Sequence, residues 1–231
     1  MDRRDFLKTA AITGAALSIQ HSEAMEILTQ TINNTNGGNP DLVAVMGGEP
    51  EAMFRRAISE LGGMKQFVKP GQKVVVKPNI GWDKVPELAG NTNPQLMAEI
   101  VKQCFAAGAK EVTVFDHTCD DWQKCYKNSG IEAAAKAAGA KVMPAHLESY
   151  YKPVNLPNGQ KMKKAKIHEA ILNCDVWINV PILKNHGGAN LTISMKNHMG
   201  IVWDRGFFHQ NDLQQCIADI CTCLLYTSDA A

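Results

Sequence analysis

The sequence predicts an α/β fold: a mostly parallel sheet with helices on both faces, plus a small hairpin excursion. Two observations carry that expectation. Short β-branched runs alternate with amphipathic or Ala-rich segments, and the polar residues gather where the runs end. Residues 42–46 form a short apolar run closed by Gly47-Gly48, which reads as a buried strand. Pro50 opens a helix through Leu61, with Gly62-Gly63 after it. Residues 73–77 (KVVVK) are β-branched and stop at Pro78, so a strand ends there in a loop. Pro94 starts a helix with Leu96, Met97, Ile100, Val101, Cys104 and Phe105 on one face and Gly108 as its stop. Residues 111–115 are a strand ending in Asp116-His117, 131–138 an Ala-rich helix and 141–144 a fourth strand. Residues 152–167, with Pro157-Asn158-Gly159 at their centre, read as a hairpin. A short helix over 168–173 and a fifth buried strand over 175–180, ending at Pro181, complete the pattern.

Composition narrows the function classes. Lys plus Arg total 24 against 23 Asp plus Glu in 231 residues, leaving a formal charge of +1. No global field therefore favours nucleic acid or an anionic membrane. Apolar residues at 45% and charged residues at 20% are ordinary for a folded chain, and no apolar stretch is long enough for a transmembrane span.

Both ends look unlike fold. Arg3-Arg4-Asp5-Phe6-Leu7-Lys8, a mildly apolar run and then Ser22-Glu23-Ala24 make an export leader over 1–24. It resembles the twin-arginine type, which implies the twin-arginine export machinery as a partner and an exported, periplasmic or cell-envelope location. Residues 25–40 read as a polar linker. At the other end, residues 223–231 resemble the translated read-through of a sequencing adapter. The expectation is an incomplete α/β domain over 41–222, with the natural chain departing after about Thr222.

In open α/β sheets, ligands bind outside the carboxyl ends of the strands. Three predicted strands end in polar groups: Lys77-Pro78-Asn79, Asp116-His117, and the loop from Pro181 to His186 containing Lys184. Lys196-Asn197 follows closely, and Thr92-Asn93 caps the helix after the second strand near the same rim. Three lysines at one rim repel one another unless an anion sits between them. Lys77, Asn79, Thr92, Asn93, Lys184, Lys196 and Asn197 are thus the predicted ligand-binding residues, with His186 and Asp116 as groups that could move a proton. The alternative for each lysine is a solvated surface position. His117, His186 and His198 with Asp116 could also form a metal site, although no H-x-x-x-H or H-E-x-x-H spacing occurs, and the metal is left open.

The seven cysteines include no C-x-x-C and no iron–sulfur cluster motif, and the sequence identifies no cofactor. Cys119 and Cys125 are close enough in sequence to pair in an oxidising compartment, while Cys104 and Cys174 fall in apolar patterns. Walker A, G-x-G-x-x-G and G-x-S-x-G patterns are absent, which argues against nucleotide hydrolysis, a dinucleotide site and an α/β-hydrolase elbow.

The segments VVVKPN (74–79), TNP (92–94), GAKEVTVFD (108–116), INVPILKNH (178–186) and LTISMKNHMG (191–200) together resemble the DUF362 family, over roughly residues 42–220. That family is a domain of unknown function, sometimes fused to ferredoxin-type iron–sulfur modules. The resemblance implies a Lys-x-His at Lys184-Asn185-His186, a Lys-Asn before Gly at Lys196-Asn197 and Gly200, and a further strand beyond the present end. It supplies no reaction. Two function classes follow from the rim: an exported, redox-linked enzyme acting on an anionic small molecule, with a redox partner, or a non-catalytic carrier of an anionic ligand or metal complex.

Overall fold

The computed structural model describes residues 39–228, with side chains through Thr222. The leader, almost all of the linker and the side chains of the tail lie outside the described residues.

Four parallel strands make the central sheet: β1 (Lys73–Pro78), β2 (Glu111–Val114), β3 (Lys141–Val142) and β6 (Val176–Val180), in the order β3-β2-β1-β6. β1 pairs with β2 from Lys73↔Glu111 and with β6 from Val74↔Val176. Both faces of β1 are covered, which is why its valines run without polar interruption. Val74 and Val76 enter one apolar cluster and Val75 the other, as the two-residue period of a strand requires.

The first cluster receives α1 (Pro50–Glu60), α2 (Pro94–Ala106), α3 (Trp122–Asn128) and α4 (Ile131–Ala137) through Ile58, Met97, Val101, Tyr126 and Ile131. The second receives α7 (Gly206–Gln210) and α8 (Leu213–Ser228), through Phe208, Cys216, Ile217 and Ile220. It also takes Tyr151 and Ile167 from the antiparallel hairpin of β4 (Tyr151–Asn155) and β5 (Lys164–His168). Asp219 of α8 ties that hairpin down, its carboxylate accepting from the amides of Gln160, Lys161 and Met162 at 2.7–2.9 Å.

The segment 42–46 corrects the expectation of a buried strand. It joins neither sheet edge, and Leu42 and Met46 are each 77% exposed. An apolar run of five residues becomes a strand only where a partner completes its backbone hydrogen bonds, and local sequence does not reveal the partner. Beyond the predicted elements lie α3, which is largely polar, a small ribbon of β7 (Lys184–His186) and β8 (Asn190–Thr192), and the helices α7 and α8. After α5 (Glu169–Leu172), the short helix α6 (Ser194–Asn197) closes the set.

Candidate functional site

The chain leaves β1 for β2 and β3 on one side, then crosses to β6 on the other side of β1. The strand order reverses between β1 and β6, and a crevice opens at such a point beyond the carboxyl ends. A cavity of about 170 Å³ lies there. Its lining includes Lys77, Asn79, Asp116, Lys184, His186, Lys196 and Asn197. Seven of the nine predicted residues therefore meet in one place. Thr92 and Asn93 do not line it, which corrects that part of the expectation. The Thr92 hydroxyl accepts from Asn79 N and donates to Val180 O, both at 2.8 Å, so it ties the end of β1 to the end of β6. Asn93 Oδ1 accepts from Leu96 N at 3.0 Å and caps α2.

The floor of the cavity is a buried polar node. Lys77 and Asp116 are 1% and 3% exposed and form an ion pair, Nζ to Oδ1, at 2.9 Å. Asp116 Oδ2 accepts from Ile80 N at 2.7 Å. Lys77 Nζ also donates to Asn197 Oδ1 at 2.8 Å. Asn197 Nδ2 donates to Asn179 Oδ1 at 2.8 Å, and Asn179 Nδ2 reaches His198 Nε2 at 3.0 Å. As the acceptor of that bond, His198 carries its proton on Nδ1, which faces Cys221 Sγ at 3.2 Å. Burial, followed by the nearby Lys77 charge, pushes His198 down to about 4. Burial also holds Lys77 below the usual lysine range, against the opposing pull of Asp116. Gly200 presses on this pair: a Cβ there would overlap Asp116 Oδ1 and lie 2.5 Å from Lys77 Nζ. Only a glycine fits at that position.

The outer wall is built differently. Lys184 Nζ donates to Asn79 Oδ1 at 2.9 Å and to Gly90 O at 2.6 Å, so its charge is oriented without being neutralised. Lys196, half-buried on α6, makes no hydrogen bond or ion pair among the described residues. Burial lowers both lysines from their ordinary value, and Arg205 and Lys184 add to the effect at Lys196. Arg205 donates to His117 O at 2.9 Å and Thr118 O at 2.6 Å, and its Nη1 lies 3.4 Å from Cys119 Sγ. Among the lining residues Asp116 is the sole carboxylate, and Lys77 already matches it. Lys184, Lys196 and Arg205 leave the cavity strongly cationic.

His186 accepts from Gly188 N at 3.1 Å and Ala189 N at 2.9 Å through Nδ1. Burial, then Lys196, lowers the ring from its ordinary value, and with Nδ1 accepting, the neutral ring carries its proton on Nε2, which can donate. His117 donates through Nδ1 to Val202 O at 3.0 Å and stacks on Trp203. Among the described residues no group of three or more His, Cys, Asp or Glu side chains is placed to hold a metal ion. Cys119 is exposed and Cys125 buried, and they are not bridged. Cys104 is buried as its pattern implied.

Arg205 and Trp82 line the cavity without having been singled out by sequence, and Cys119, noted only for a pairing with Cys125, lines it too. Arg205 sits in the turn Trp203-Asp204-Arg205-Gly206, just after the 191–200 motif, and that adjacency is the one signal that could have found it.

A family model described as "Domain of unknown function (DUF362)" matches residues 74–229, a stretch that contains every lining residue named above. The thylakoid-associated protein sll1697 of Synechocystis sp. is 26% identical over 151 residues, covering 65% of this chain and 46% of that protein. The chain thus spans about half the length of the curated relative it matches.

Proposed function

This chain belongs to the DUF362 family, and from the geometry of its rim we propose that it binds an anionic small molecule, through a carboxylate or phosphate group, at the carboxyl ends of β1, β2 and β6. One observation carries this reading: three cations, Lys184, Lys196 and Arg205, converge on a cavity whose sole lining carboxylate is already paired. Bringing them together is unfavourable in the empty state and favourable once an anion bridges them. In this reading Lys196 and Lys184 hold the anion, Asn79 fixes Lys184, and His186 donates Nε2–H to it. Asp116 is a positioning residue, because both its oxygens are engaged in holding Lys77 and the start of the 79–83 loop.

The leader with Arg3-Arg4 supports export, and replacing both arginines by Lys should leave an unprocessed precursor in the cytoplasm. No helix among the described residues is long and apolar enough to cross a membrane.

The direct test is calorimetric titration of inorganic phosphate and of acetate into the native protein and Lys196→Ala. Loss of a charged hydrogen bond should weaken binding about ten- to a hundredfold. Equal affinity in the two proteins would defeat the reading. Mass spectrometry of protein purified under anaerobic conditions should then identify the co-purifying anion.

A further inference from the structure

The cavity that gathers the cations also gathers apolar surface. Trp82, Ile182 and Ile193 line it beside Lys184 and Lys196, and the Trp82 ring stands 6.0 Å from Lys184 Nζ. Further large apolar side chains are exposed nearby in the sequence. Leu183, Leu191 and Met195 each adjoin a lining residue in sequence, and with Trp82 and Ile193 they are 40–68% exposed. Trp82 and Ile193, both lining a cationic cavity and both left largely in water, are unlike the scattered exposed residues of an ordinary surface. Leu191 and Ile193 lie on or just after the β7–β8 ribbon that carries Lys184, and Met195 lies on α6 beside Lys196.

Resting on the anion reading above, we infer that the ligand is an amphiphile: an anionic head held by Lys184, Lys196 and Arg205, with an apolar chain that leaves across this rim. The cavity volume of about 170 Å³ accommodates a head group and is well below that of pockets enclosing a whole larger ligand. An attached chain must therefore exit, and the exit is apolar. Trp82 and Ile193, which line the cavity and are also exposed, mark where head and chain meet.

The experiment titrates the full chain with inorganic phosphate and with butyl, hexyl and octyl phosphate, each below its micelle-forming concentration. Every methylene that reaches the rim should tighten binding about two- to fourfold. Octyl glucoside, with the same tail and no charge, should bind about tenfold or more weakly than octyl phosphate. Ile193→Ser should flatten the dependence on chain length, and an unchanged dependence would count against the assigned path. Phosphatidylglycerol vesicles separate a free amphiphile from a bilayer: capture by vesicles without binding of octyl phosphate overturns the inference. So does equal binding of the uncharged glucoside. Phosphate affinity that fails to grow with chain length overturns the inference and leaves the anion reading standing, whereas failure of phosphate and every alkyl phosphate to bind defeats both.

Discussion

Lys77 and Lys196 border the same cavity, and their surroundings make them different groups. On the floor, Lys77 is buried, paired to Asp116 and bonded to Asn197, so its charge is answered within the fold. On the wall, Lys196 is half-exposed and unanswered among the described residues, with Lys184 and Arg205 close enough to lower its proton affinity. The floor ties the ends of β1 and β2 together, and the wall carries charge that no carboxylate among the described residues answers. Residue type did not separate these roles; burial and the presence of a carboxylate did.

The largest expected effects fall on the floor. Lys77→Ala leaves Asp116 buried without its cation, and breaking a buried pair of this kind costs about 3–5 kcal/mol, read as a drop in denaturant midpoint. Gly200→Ala forces a Cβ into the same pair and should be comparably damaging. Replacing both partners, Lys77→Met with Asp116→Leu, should recover much of the loss, because no isolated charge remains. A double variant as unstable as Lys77→Ala would mean that the bonds to Ile80 and Asn197, not the charges, hold the floor.

On the wall the effect moves from stability to binding. Lys196→Ala should leave unfolding free energy within about 0.5 kcal/mol of native while weakening phosphate binding as stated. Lys184→Ala is a less clean probe, since it also releases Asn79 and Gly90. Because burial lowers Lys196, anion affinity should fall as pH rises, beginning below the ordinary lysine value of 10.5. Affinity unchanged up to that value would remove Lys196 from the site.

Protonation separates the two regions further. His198 behind the floor and His186 on the wall are both held below the free value of 6.5, chiefly by burial, and His198 lies at about 4. The unfolded chain binds more protons than the folded chain between the folded and free values. The stability they contribute is therefore complete above pH 6.5 and is lost as pH falls toward 4. His198→Gln should remove more of that acid sensitivity than His186→Gln, measured as the change in thermal midpoint across the window. The reverse order would contradict the burial assigned to each.

The strands that build the sheet were legible from their apolar runs: KVVVK is covered on both faces, and DVWINV, half-buried at the sheet edge, still reads as a run of strand formers. The convergence of Lys77, Lys184 and Lys196 followed from placing Lys77 at the end of one strand, Lys184 in the loop after another and Lys196 in the segment that follows closely. Their inequality did not follow. It depends on Asp116 lying beside Lys77 across β1 and β2, a spatial pairing with no trace in either local sequence. Thr92 misled for a related reason: it is near the rim, but its hydroxyl is used up between Asn79 and Val180. Arg205 and the apolar rim escaped because they come from turns and a three-residue ribbon, segments too short for periodicity to speak.

The most direct measurement is a thermal melt of native protein, Lys77→Ala and Lys196→Ala, each with and without a saturating concentration of inorganic phosphate. The account predicts that Lys77→Ala melts well below native, and that Lys196→Ala melts with native in buffer but loses most of the phosphate-dependent rise that native shows. A Lys196→Ala protein that keeps the full rise, or a native protein that shows none, would contradict it.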